Sequence, residues 1–499
     1  MWDDVITMNQ DIYLGIDLGS TGLKAVAFET GSGRVLAAGG GALPFSRPAA
    51  GASERSAAAI RAALVRAITQ VTQGLGASAS RIRGIGCTGH GAGLFALDAK
   101  GELLGGVSIG STDQRGAARA RTIAQRHGEA LVAQVGGSPW AGQPTVLAAV
   151  LHGDDVVQRG TLRHILFAKD YLCWLLTGEM STEASDASTA GLLSLRDGGW
   201  SQEAFAASGL HDLSARNFAP LVPMGSAVGT LRDAWAVECG LPRGVTVCTS
   251  AIDLLTAMHA IDAPRTDSAV AVLGTWSVNA VVGPVMPVTP DVAAVVHFGD
   301  ATRRLYMDNS PSGMANLDWL ATTLQWNGPA AVFDAAFSVP FDAGPRFLPF
   351  IHGAPPGETA GFLGVQPHHG PAHLARAAVN AVAALHVRHL ARLRAAGLNT
   401  SRQVIVLGGG ARDLRMVQLI AGLLGHAVQR CDDESGARGA ALCAAMSQGL
   451  AREALPAPME RVEPDTAQAA AMADELSRFD ALLQALAPAF QRLAPKEAR

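Results

Sequence analysis

Asp17, Gly19, Ser20, Thr21, Gly22 and Lys24 lie in one short stretch, IYLGIDLGSTGLKAVAFE, running from Ile12 to Glu29. Such a set suits a polyphosphate. Glycines let backbone N–H groups close on an anion, and the hydroxyls of Ser20 and Thr21 and the ammonium of Lys24 add donors. Asp17 stands where a carboxylate could hold a hydrated Mg2+ against phosphate oxygens, which makes it the candidate metal residue. A second stretch, AVAVLGTWSVNAVVG from Ala269 to Gly283, repeats the pattern. Leu18-Gly19-Ser20-Thr21-Gly22-Leu23 falls in register with Leu273-Gly274-Thr275-Trp276-Ser277-Val278, so Gly274 and Thr275 form a second candidate phosphate turn. The alternative for either stretch is a surface hairpin whose small residues only make the bend.

Asp253 follows the apolar run Val245–Thr249 and Ser250-Ala251-Ile252, just ahead of a helical pattern from Leu254. A carboxylate on a strand-to-helix turn can take a proton from a substrate hydroxyl, or it can merely cap the helix. His90 and Gly91 sit in the loop Thr88-Gly89-His90-Gly91-Ala92-Gly93 at the end of an apolar run, where open α/β sheets place ligands. His90 could exchange hydrogen bonds with a hydroxyl-rich substrate, or be exposed and without a role. Asp113 could accept from sugar hydroxyls, or cap a helix from Gln114 onward. Trp140, in a proline-punctuated loop, could lie against the apolar face of a sugar or be plain core. Gly408-Gly409-Gly410-Ala411 is bare enough for adenine and ribose to lie on the backbone, and Gly313 ends the polar run Asp308–Gly313 near a helix start. His368 and His369 are adjacent, cannot easily share an ion and have no suitably spaced carboxylate, so no zinc site is predicted.

The elements that must position these residues follow from periodicity. Ile12–Leu18 and Leu23–Phe28 read as a strand pair, Ser56–Gly74 as an amphipathic helix, Ile82–Cys87 as a buried strand and Val404–Leu407 as another. Leu162–Thr177 reads as one helix ending at Gly178, with Lys169 and Asp170 forming a structural ion pair with other elements. Leu374–Ala396 is a helix with Leu374, Ala378, Ala381 and Leu385 on one face, and Ala467–Leu493 a terminal helix packed on the outside. Each hairpin opens about half the chain. Two similar domains are therefore expected, gripping a nucleotide from both sides as actin-like ATPases and sugar kinases do.

Composition agrees with an α/β enzyme handling a small molecule. At 499 residues the chain exceeds one ordinary core, which favours two domains. Charged residues are only 16%, yet no apolar run reaches the ~18 residues of a membrane span, and the acidic start MWDDVITMNQ lacks the order of a secretory signal. Six scattered cysteines suit a reducing cytosol, so a cytoplasmic location is expected. A net charge of −4 without a basic block argues against nucleic acid.

From Ile12 to Ser447 the sequence resembles the FGGY carbohydrate kinases. The most specific stretch is Ala360-Gly361-Phe362-Leu363-Gly364-Val365 with His373-Leu374 and Ala377-Ala378-Val379, which follows the family's C-terminal signature and departs from it at Asn380. Ser111–Arg115, Gly274–Val278 and Gly361–His369 are most similar to the L-xylulose/3-keto-L-gulonate kinases, while D-xylulose kinases are less close there. The resemblance implies two actin-like (ribonuclease H-like) α/β domains with a catalytic cleft: 1–249 binding sugar, 250–455 binding nucleotide, and 456–499 a helical extension. It implies ATP with Mg2+, Asp253 as catalytic base, and Asp17, Gly19, Ser20, Thr21, Lys24, Gly274, Thr275, Gly313, Gly409, Gly410 and Ala411 around the nucleotide. His90, Gly91, Asp113, Trp140 and Asp253 would face the sugar. His90 replaces a common glutamine, and Ala92 stands where D-xylulose kinases tend to have histidine, which counts against D-xylulose. D-xylulose, ribulose or a polyol such as erythritol or glycerol is the alternative substrate. A non-catalytic actin-like sensor or scaffold is the alternative of another class, and a homodimer is a further expectation.

Overall fold

The computed structural model describes residues 10–153, 160–210, 212–288, 292, 294–351, 359–400, 402–431, 434–465 and 469–493. The start Met1–Asn9, read above for a leader, and Ala467, read as opening the last helix, lie outside them.

Both hairpins form. Strands β1 (Ile12–Leu18) and β2 (Gly22–Glu29) are antiparallel with Asp17 opposite Lys24. With β3 (Val35–Ala42), β4 (Ile82–Gly89), β5 (Ala227–Thr230) and β6 (Thr246–Ile252) they make a sheet in the order β3-β2-β1-β4-β6-β5. Strands β7 (Ala269–Leu273) and β8 (Ser277–Pro284) are the second hairpin, with Leu273 opposite Ser277. They join β9 (Ala294–Val296), β10 (Arg303–Ser310), β11 (Val404–Leu407), β12 (Val428–Arg430) and β13 (Glu460–Val462) in the order β9-β10-β8-β7-β11-β12-β13. The central pairs β1·β4 and β7·β11 are parallel, so each hairpin turn lies beside the C-terminal end of a parallel neighbour. Ligands of α/β sheets bind at such ends.

Helices cover both faces of each sheet. Helix α1 (Ala57–Leu75) starts where the Ser56 hydroxyl accepts the Ala59 N–H, and buries Ile60, Leu64, Ala67, Ile68 and Val71 against the first sheet. Helices α2 (Ala117–Val135) and α3 (Ala168–Thr177) belong to the same half. Two helices cross over. Helix α4 (Asp253–Ala260) leaves the first sheet yet packs Leu255 and Met258 on Val270, Leu305 and Ile405 of the second. Beyond α5 (Pro371–Ala395) and α6 (Leu414–Leu424), helix α7 (Ser435–Ser447) returns to the first sheet, burying Ala437, Ala441 and Leu442 against Tyr13, Val26 and Phe28. Two glycines permit this. A Cβ on Gly15 would stand 1.7 Å from the Ala437 carbonyl oxygen, and one on Gly86 1.8 Å from that of Ala440.

Three expectations change. Leu162–Thr177 is not one helix: His164–Leu166 is a short strand paired with Phe95–Leu97, and the helix begins at Ala168. Three residues beside an apolar helix carry no periodicity that separates strand from helix. Asp113 caps nothing, since α2 begins at Ala117 after Gly116. After Pro456 the chain first adds the edge strand β13 to the second sheet. It then forms α8 (Ala469–Leu493), whose Met472, Phe479, Leu483 and Phe490 are buried.

Candidate active site

Between the sheets lies a cavity of about 860 Å3. Asp17, Ser20, Lys24, His90, Gly91, Trp140, Asp253, Gly274, Thr275 and Gly409 all line it. The hairpins supply two of its walls, the turn after β11 a third, and the β6–α4 junction carries Asp253.

Asp253 is the first residue of a helix whose apolar side belongs to the second sheet, while the strand before it belongs to the first. Its Oδ1 accepts the Leu254 N–H at 2.7 Å, and burial pushes its pKa up to about 6. Burial also raises Asp17, to about 7, reinforced by the Asp253 carboxylate and opposed by Lys24. Desolvation and a like charge both disfavour the ionised form. Asp17 Oδ1 is buried and has no hydrogen-bond partner. Lys24 is held by Glu434 at 2.8 Å, and Glu434 also takes Arg412 at 2.6 Å. This trio joins the first hairpin to the turn after β11.

The candidate positions outside the lining act as its backing. Gly313 lies against the second hairpin turn, where a Cβ would come within 2.6 Å of the Gly274 carbonyl oxygen, and the Met314 N–H donates to that same oxygen at 2.9 Å. Gly410 packs under Leu273, and the Ala411 carbonyl accepts from Arg430 Nε at 2.7 Å. Gly19 and Thr21 complete the first turn, where the Leu43 N–H donates to the Thr21 carbonyl at 2.9 Å. Asp113 is fully buried behind Ser111 and Thr112, which reach the cavity in its place. Its carboxylate is taken by the Arg115 guanidinium, at 2.7 Å from Nη2, and by the Ser53 N–H at 2.8 Å.

Arg55, Ser185 and Glu434 were not singled out by sequence. Arg55 donates to the carbonyls of Gly19 (3.0 Å) and Ser20 and lies 3.7 Å over the Phe45 ring, so it braces the first turn from below. Burial lowers its pKa to about 10. Ser185 accepts the Ile252 N–H at 3.1 Å, next to Asp253, and donates to buried Glu183. Behind it Lys169 pairs with Asp170 (2.5 Å) and with Asp186 (2.8 Å), all fully buried, which realises the ion pair read from the sequence. No nearby spacing signals the contacts of Arg55 with the first turn or of Ser185 with Ile252, because each joins segments far apart in the chain.

Among the described residues no helix is long and apolar enough to cross a membrane, and no cluster of three or more His, Cys, Asp or Glu side chains could hold a metal. Comparison with known proteins agrees with this geometry. The N-terminal domain of the FGGY family of carbohydrate kinases matches residues 12–259, and the C-terminal domain matches 269–448. The chain is 28% identical to a probable L-xylulose kinase of Pasteurella multocida, covering 95% of this chain and 99% of that one. It is also 28% identical to the L-xylulose/3-keto-L-gulonate kinase of Escherichia coli, over 95% and 97% of the two chains. The crystal structure of a xyloylose kinase from Brucella ovis superposes with a TM-score of 0.81 at 26% identity, over 95% of this chain and 99% of that one. With both domain matches spanning the two sheets and the cavity between them, this chain belongs to the FGGY family of carbohydrate kinases, and it is a sugar kinase using ATP.

Proposed function

We propose that the protein transfers the γ-phosphoryl group of ATP to a terminal hydroxyl of a ketose, with L-xylulose and 3-keto-L-gulonate first among the candidates. The observation that supports this is the common cavity: Asp253 at the lobe junction, both hairpin turns and the Gly409 turn all face one space. In this reading adenine lies against Gly408–Ala411 and the phosphates lie between Ser20-Thr21 and Gly274-Thr275. Phosphoryl transfer asks chiefly for alignment and charge neutralisation, which two opposed turns provide. Asp253 takes the proton of the attacking hydroxyl, Asp17 assists at the phosphates, and Trp140 with His90 and Gly91 holds the sugar.

Asp17 also fits a hydrated divalent cation, since a buried carboxylate oxygen without a protein partner opens beside the turn. When bound with ATP, Mg2+ would neutralise phosphate charge. Lys24 and Arg412 each keep N–H donors beyond those given to Glu434, so both can also reach phosphate oxygens. The test of the reading is ADP release across ketopentoses, 3-keto-L-gulonate, tetritols and glycerol at fixed MgATP. Stimulation by no acceptor would end it.

Two expected outcomes arise here. A base raised to about 6 works only when deprotonated, so kcat/KM is expected to fall about tenfold per pH unit below that value and to level off above it. A profile from pH 5 to 8 for Asp253 and for its asparagine variant checks this, because the variant should lack the limb. Ser185→Ala leaves the Ile252 N–H unpaired beside the base. It is expected to cost about 1–3 kcal/mol in stability. A several-fold loss in kcat should accompany this with little change in the KM for ATP, as melting curves and initial rates would record.

A further inference from the structure

The sugar end of the cavity also carries information about charge, on the premise that the kinase reading above is right. His90 is 6% exposed, lines the cavity and has no hydrogen-bond partner of good geometry at either ring nitrogen. Phe45 and Phe95 flank its ring at centroid distances of 6.0 and 6.3 Å, which fixes its plane. Burial and the Arg55 charge lower its pKa to about 4, against a small opposing effect of the Gly91 backbone, so the imidazole is neutral at physiological pH. A neutral imidazole offers one donor and one acceptor, the complement of a hydroxyl or a carbonyl. The hydroxyls of Thr145 and Thr189 also line the cavity, are buried and have no protein partner. All of these waiting groups are uncharged.

The charges present are unfavourable to an anion at this end. Asp17 and Asp253 are carboxylates, and the Arg55 guanidinium whose charge acts on His90 is outside the lining and spent on the carbonyls of Gly19 and Ser20. Among the described lysines and arginines, only Lys24 and Arg412 reach the cavity, and both are bound to Glu434 at the nucleotide end. Arg115, the guanidinium behind Thr112, is taken up by Asp113 and Glu54. A substrate carboxylate would therefore exchange its water for hydroxyls and a neutral histidine, with no free cation among the described residues of the lining to pair it, and such a burial is costly.

We propose that the acceptor is a neutral polyhydroxy compound, a ketose or polyol, and that sugar acids are rejected. The geometry thus separates the two leading candidates in favour of L-xylulose over 3-keto-L-gulonate.

The experiment uses the full chain with saturating MgATP and measures ADP release for neutral ketoses and polyols beside sugar acids, including L-xylulose against 3-keto-L-gulonate. Calorimetric titration of the same pairs in the presence of a non-hydrolysable ATP analogue gives binding independently of turnover. The best neutral acceptor is expected to exceed every acid by about 100-fold or more in kcat/KM. An acid that comes closer than this overturns the proposal and leaves the kinase reading standing. Release stimulated by no acceptor, neutral or acidic, defeats the kinase reading and the proposal with it.

Discussion

Asp253→Asn is expected to lower kcat by about 10²–10⁴, the usual share of a general base, while ATP binding persists. The amide keeps the size of the side chain and the helix start, and cannot accept the proton. The sign of the stability change separates chemistry from misfolding. The folded pKa of Asp253, about 6, lies above the ordinary carboxylate value, so on raising pH the unfolded chain releases this proton first. Stability from this residue is present at low pH and lost as pH rises through about 6. A neutral amide does not carry that loss, and the variant should melt no lower than the wild type at pH 7.5. Initial rates, a nucleotide titration and a melting curve on one preparation check all three points. An unimpaired rate would remove Asp253 from the role.

Gly86→Val is expected to be among the most damaging substitutions away from the cavity. A Cβ there would sit 1.8 Å from the carbonyl oxygen of Ala440, a backbone atom that can retreat only if α7 moves bodily. Overpacking of this kind typically costs 1–3 kcal/mol, and a β-branched side chain against helix backbone belongs at or above about 3 kcal/mol. Activity should fall as well, because Ser435 and Gly436 at the start of α7 line the cavity, and a Cβ on Gly436 would already touch Asp17. Gly41→Ala is the control, since nothing lies within 4 Å of the added carbon. Thermal melts of the two variants should differ clearly, and equal melts would refute the packing argument.

The two hairpins were legible because they repeat. Small turn residues between runs of strand formers recur with spacing that needs no tertiary knowledge, and β1·β2 and β7·β8 follow. Asp253 was legible for the same local reason, standing where a buried strand gives way to a helix. Asp113 looked like a sugar ligand because its captor lies two residues on, and a sequence does not say that Arg115 folds back on it. Arg55, Ser185 and Glu434 were missed because their partners are Gly19, Ile252 and Lys24, brought close only by the finished fold. The lone strand at His164–Leu166 was lost in an apolar run without periodicity. Least legible was the exchange of helices, since an alanine-rich segment such as Ser435–Ser447 would suit either sheet by composition.

That exchange sets a timetable for biosynthesis. All strands of the first sheet have left the ribosome once Ile252 has emerged, yet the face bearing Tyr13, Val26 and Phe28 is covered only by a helix that ends at Ser447. At typical elongation rates of 5–20 residues per second the wait is about 10–40 s. Through that interval the nascent chain shows an apolar sheet face to the cell, a surface of the kind that trigger factors and other holdases engage. A message truncated before α7 would yield an amino-terminal half that is fully written but unable to close.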